Sequence, residues 1–84
     1  MKPIRLSGHA REQLVFRGTT EKEVIETITK SPWQSAELGR LECKKDFTFE
    51  NEWNKKHYKT KQGKPIFVEE VEEIVVITVY TYFF

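Results

Sequence analysis

The sequence predicts an α+β domain: an N-terminal helical hairpin packed on an antiparallel sheet of about four strands. Three observations predict it. Apolar residues recur at helical spacing, between capping residues, only in the first third of the 84-residue chain. From residue 38 onward they alternate in twos, the period of a half-buried strand. The final run, Ile74 to Tyr82, is apolar or aromatic on both faces, as in a strand covered on both sides.

Ser7 reads as an N-cap, its hydroxyl able to take a free amide hydrogen of the first turn. A helix is expected from Gly8 to Arg17, with Gly18 supplying the left-handed stop. Thr20 opens a second helix, and Glu23 three residues later gives the spacing of a capping box. Val24, Ile25 and Ile28 form its apolar face, and Pro32 ends it. In residues 38–48, Leu41, Cys43 and Phe47 fall on one face and Arg40, Glu42, Lys44 and Asp46 on the other. Glu50 to Asn54 reads as a loop with Trp53 folded back, and residues 55–62 as the next strand. Gln62-Gly63-Lys64 reads as a turn, because Pro65 can begin a strand but lacks the donor a central position requires. Residues 66–71 then pair with 74–82 across an acidic turn near Glu72-Glu73.

A net charge of +1 hides an uneven layout. Residues 1–20 carry +3, 21–36 carry −1, 37–64 carry +3 and 65–84 carry −4. Within 53–64, five lysines stand with no acid. Such local density attracts phosphate even when the whole chain is nearly neutral, though lysines also keep an exposed strand soluble and block edge pairing. One cysteine cannot form an internal disulfide, and no apolar run approaches the ~20 residues of a membrane span. The first residues lack a signal-peptide pattern, so a single cytoplasmic domain without membrane contact is expected.

Two constellations carry candidate chemistry. His9 sits in the first helical turn, where the helix dipole disfavours added positive charge, so a neutral imidazole there is a candidate general base. It serves equally as an anchor bonded to a backbone carbonyl. Lys55, His57, Lys59 and Lys61 fall on one strand face, with Tyr58 opposite. RNA cleavage without a metal requires a base for the 2′-hydroxyl, cations for the phosphorane and an acid for the leaving oxygen. The lysines and His57 with Arg5, Arg17 and Arg40 contain those residue types. Tyr58, Tyr80, Tyr82, Phe83 and Phe84 are candidates for base stacking or for packing. Metal-ligand spacing and a phosphate-binding glycine loop are both absent, so no cofactor or metal is expected.

Ser7-Gly8-His9-Ala10-Arg11, Arg17-Gly18-Thr19-Thr20 and Glu23-Val24 resemble the opening of the bacterial domain-of-unknown-function family 4258. Its members share a Ser-x-His-Ala helix and an Arg-Gly-Ile-Thr/Ser turn, and close on a strand similar to Ile77-Thr78-Val79-Tyr80. Thr19 stands where the family usually has Ile. The resemblance implies a fold like the RelE and BrnT toxins, small ribonucleases of toxin–antitoxin systems. It carries a site over to His9 and Arg17, with Arg11 beside them.

Two hypotheses follow. In the first, the domain is a toxin-type, metal-independent endoribonuclease or RNA-binding module. Its catalytic candidates are His9, Arg17, Lys59, Lys61 and Tyr80, and its RNA-binding candidates are Arg5, Arg11, Arg40, Lys55, His57 and Tyr58. The second is a non-catalytic interaction module whose partner is an antitoxin-like protein or a second copy of the chain. Convergence of His9, Arg17, Lys59 and Lys61 on one surface separates them.

Overall fold

In the computed structural model, which describes residues 1–84, a strand precedes the helices. This β1 (Ile4–Leu6) is followed by α1 (Gly8–Arg17) and α2 (Glu21–Lys30). Two-residue strands β2 (Gln34–Ser35) and β3 (Leu41–Glu42) flank a tight turn at Glu37–Gly39. The long strands β4 (Lys45–Trp53), β5 (Lys56–Glu69) and β6 (Ile74–Phe83) complete the chain. The α+β class holds, but the sheet has six strands in place of about four. It is antiparallel except where β1 runs parallel to β6, pairing Ile4 with Ile74 and Leu6 with Val76.

The helix ends follow local chemistry. Ser7 Oγ accepts from the Ala10 amide at 3.1 Å, and Thr20 Oγ1 from the Glu23 amide at 3.2 Å. Each cap is worth about 1 kcal/mol. Gly18 closes α1 at φ 68°. The helices pack on the sheet as expected, α1 on β6 and α2 on β5, while their pairing with each other as a hairpin is not borne out. α1 also covers the edge of β6 beyond β1. Gln13 Oε1 accepts from the Val79 amide at 2.9 Å and the Thr78 hydroxyl at 2.7 Å, and Thr81 Oγ1 donates to the Arg17 carbonyl. Groups that an open strand edge would leave free are thereby satisfied.

No turn occurs at Gln62-Gly63-Lys64; β5 runs straight through. Gly63 lies beneath α2, where a Cβ would stand 3.6 Å from Thr27 Oγ1. Pro65 is tolerated for a specific reason. Thr60 and Phe84 exchange both backbone bonds, so by alternation the Pro65 nitrogen points away from β6, toward β3 and β4. There β3 and β4 share one register against β5, interrupted at Cys43 and Lys44. They are one strand that loses its ladder where the proline has no hydrogen to give. The expected loop at Glu50–Asn54 is mostly strand: β4 bulges between Thr48 and Asn51 and turns back through Asn54 and Lys55, φ 52° and 69°.

Leu6, Ala10, Ile28, Phe67, Val76 and Val79 centre the core between sheet and helices. Full burial of a side chain such as Phe67 contributes about 2–3 kcal/mol. No helix is long and apolar enough to cross a membrane.

Candidate nucleic-acid interface

β6 alternates faces past its bulge. Val79 and Thr81 turn toward the helices, while Thr78 and Tyr80 turn to the outer face of the sheet. Tyr80 pairs with Lys64 and Thr78 with Ile66 across β5. The β2–β3 turn stands beside this face and walls an open cavity of about 330 Å³, lined by Arg40, Glu42, Lys64, Ile66, Thr78 and Tyr80 among others. Leu38 (φ 60°) and Gly39 (φ 72°) are consecutive left-handed residues, and their reversal brings Arg40 back to the sheet.

The charges at this cavity are unequal in freedom. Lys64 Nζ sits 3.3 Å from Glu42 Oε2. Arg17 and Arg40 enter none of the six ion pairs of the structure. The Arg17 guanidinium instead lies over the Tyr80 ring, 5.5 Å from its centre. Two free guanidiniums therefore stand near an accessible phenol, Arg17 over its ring and Arg40 in the cavity it lines, where Glu37 is the one carboxylate outside an ion pair. This arrangement suits an anion, because guanidinium offers paired donors to phosphate oxygens.

Of the sequence candidates, Arg17, Arg40 and Tyr80 are brought together here. His9 lies on the α1 stripe that carries Gln13 and Arg17, exposed and without a hydrogen-bond partner, roughly 12 Å along the axis from Arg17. The lysine stripe does not join them. Lys61 is buried on the helix side, with Nζ 2.7 Å from Glu23 Oε1 and 3.0 Å from the Gly18 carbonyl. Lys55 is in the β4–β5 turn, and His57 and Lys59 are exposed near that end of β5. Lys59 is five residues from Lys64, roughly 17 Å along the strand. The predicted convergence of His9, Arg17, Lys59 and Lys61 is therefore absent, so the ribonuclease hypothesis loses the site expected of it and has only Arg17, Arg40 and Tyr80 left to stand on.

Arg5 and Arg11 are committed elsewhere. Arg5 makes a two-bond pair with Glu73, both 3.1 Å, and Arg11 meets Glu21 at 3.0 Å. Tyr58 packs with Phe49 and Trp53 around Phe83, at 5.7 Å from that ring. Lys64 and Glu42 were missed as site residues. Lys64 belonged to the basic run, but its assignment to a turn hid its place on the outer face.

No three His, Cys, Asp or Glu side chains gather as a metal centre would require. Comparisons with family models, curated proteins and solved structures gave no match.

Proposed function

We propose that this domain binds RNA on the outer face of its sheet and cleaves it there without a metal ion, as a toxin-type endoribonuclease of RelE/BrnT-like fold. The observation that carries the proposal is a pair of guanidiniums outside every ion pair, Arg17 over the Tyr80 ring and Arg40 in the cavity that Tyr80 lines. The α+β order and the Ser7-Gly8-His9-Ala10 and Arg17-Gly18 motifs support the finer classification.

The chemistry is a transesterification. Glu42 takes the proton of a 2′-hydroxyl, the 2′-oxygen bonds to phosphorus, and the bond from phosphorus to the 5′-oxygen breaks. Tyr80 gives its proton to that leaving oxygen, while Arg17, Arg40 and Lys64 hold the phosphorane charge. The products are a 2′,3′-cyclic phosphate and a free 5′-hydroxyl. Glu42→Gln tests this assignment of the base; His9, roughly 12 Å along α1 from Arg17, lies outside the site.

The test is incubation with a labelled RNA oligonucleotide in EDTA. Cyclic-phosphate products are expected, falling about 10²-fold or more in Tyr80→Phe and further in Arg17→Ala/Arg40→Ala. Lys59→Ala leaves the rate unchanged. No cleavage by folded wild type between pH 5 and 9 overturns the catalytic part, and no RNA binding overturns the rest.

One observation favours the interaction module. Val15 and Phe16, adjacent on α1, are 74% and 79% exposed. A second copy or an antitoxin-like protein covering them is the occupant in that reading. Phe16→Asp then lowers the sedimentation coefficient of the complex and leaves RNA binding intact.

A further inference from the structure

Beyond the cavity, the outer face of β6 continues as a row of rings. Tyr80, Tyr82 and Phe84 follow one another at every second residue, 39%, 46% and 58% exposed. Phe84 still pairs with Thr60, so the row ends on ordered backbone. Consecutive rings on one strand face stand about 7 Å apart. An extended, unstacked nucleic-acid strand covers that separation with one nucleotide per ring.

The surroundings match such a ligand. Across β5 the row faces Lys64, Gln62 and Thr60, so one flank is polar or cationic. The nearest acid beyond Gln62, Asp46, is already bonded to the Gln62 amide at 2.8 Å. The other flank is α1, whose Arg17 covers Tyr80. The rings of the helix-side cluster, by contrast, stack on each other: Trp53 lies parallel to Phe83 at 5.1 Å. Tyr82 and Phe84 have no ring partner within the chain.

We infer that Tyr82 and Phe84 extend the site as a stacking platform for unpaired bases, so that the substrate is single-stranded RNA laid along β6. The inference rests on the proposed RNA site and adds its strandedness and direction. Rings presented along a strand accept the faces of splayed bases, which a duplex keeps stacked inside. The bases lie on Tyr82 and Phe84, and the phosphate to be cleaved lies between Arg17 and Arg40.

The experiment is fluorescence anisotropy with four end-labelled probes. They are a single-stranded RNA octamer, the same octamer in a duplex, its DNA counterpart, and an RNA octamer with three central abasic sites. Wild type is compared with Tyr82→Ala, Phe84→Ala and Tyr82→Trp, with folding checked by near-ultraviolet circular dichroism. The single strand is expected to bind at least tenfold tighter than the duplex or the abasic probe. Each alanine variant loses about tenfold, keeps the wild-type salt slope, and is rescued at position 82 by Trp.

Wild-type affinity in both alanine variants overturns the platform and leaves the RNA site standing. Equal affinity for duplex and single strand does the same. Absence of any RNA binding by wild type removes the RNA site and the platform with it. Unchanged RNA affinity in the variants, together with loss of wild-type self-association, reassigns the row to a protein contact and overturns the inference.

Discussion

Lys61 Nζ on β5 holds Glu23 Oε1 on α2 at 2.7 Å and the Gly18 carbonyl at 3.0 Å, tying the sheet to the loop between the helices. The Lys61 side chain is 9% exposed. Glu23 thereby departs from the expected capping box. Its carboxylate turns to Lys61 and the Thr19 hydroxyl, while Thr20 still caps the Glu23 amide. Removing Lys61 leaves the Glu23 charge uncompensated, but because that carboxylate is 25% exposed water takes part of the load, and the cost is about 1–3 kcal/mol. Lys61→Ala is expected to lose about that much in urea unfolding, and Lys61→Met distinctly less when combined with Glu23→Gln. Equal stability of Lys61→Ala and wild type would show the pair to be inert.

The glycines provide a graded series. At Gly18, φ 68°, an added Cβ would stand 2.9 Å from two Trp53 ring atoms and 3.1 Å from Phe83. Gly18→Ala therefore combines about 1–2 kcal/mol of left-handed strain with a clash against packed rings. Gly39, φ 72°, opens to empty space, so Gly39→Ala shows the strain alone. Gly8 begins α1 with nothing within 4 Å, and Gly8→Ala leaves stability unchanged or raised. Thermal unfolding is expected to rank them Gly18 far below Gly39, and Gly39 below Gly8.

Acid weakens two ties between elements. The hydrogen bond from Lys45 holds the Glu26 carboxyl below its ordinary value of 4.5, and the hydrogen bond from Arg5 does the same for Glu73. A carboxyl depressed in the folded state takes up protons more readily when unfolded. Its contribution is present above pH 4.5 and is lost as pH falls through the lower, folded value. Urea midpoints measured from pH 6 to pH 3 should fall less steeply in Glu26→Gln and Glu73→Gln than in wild type.

Cys43 behaves in the opposite sense. Burial pushes its thiol from 9.0 up to about 11, with the Glu42 charge adding to the effect. The folded state keeps the proton longer than the unfolded state, so stability is full below pH 9 and declines as pH rises toward 11. Cys43→Ala is expected to flatten that alkaline arm. Iodoacetamide at pH 8 should label the native protein far more slowly than the urea-unfolded chain.

Legibility followed the range of the interaction. The caps at Ser7, Thr20 and Gly18 were readable because each acts within four residues of itself. The expectation that β6 is covered on both sides holds only for its first residues. Ile74, Val75 and Val76 are buried, but the outer face opens at Tyr80, Tyr82 and Phe84, because aromatic residues read as core in composition whether or not anything covers them. β1 was not, since three residues have no period and Ile4 is defined as strand by a partner at Ile74. β5 was cut short because Gly63 and Pro65 normally punctuate. Here the glycine admits α2, and the proline points away from β6 to the break between β3 and β4, where the ladder is lost. At the site, Arg17, Arg40 and Tyr80 were legible as residue types. Lys61 misled because a lysine in a basic run reads as solvated, and its carboxylate is 38 residues away.

The parallel pairing of β1 with β6 also has a consequence for synthesis. The Ile74 amide bonds to the Pro3 carbonyl, Ser7 reaches Val76 and Ile77, and Gln13 waits for Thr78 and Val79. β1 and α1 are thus completed by partners about 70 residues further along the chain. At roughly 5–20 residues per second the N-terminal strand and helix spend several seconds outside without their neighbour. β1 and α1 therefore cannot complete their pairing until residues 74–79 have been made, and the apolar side of the first helices is the surface a chaperone meets in that interval.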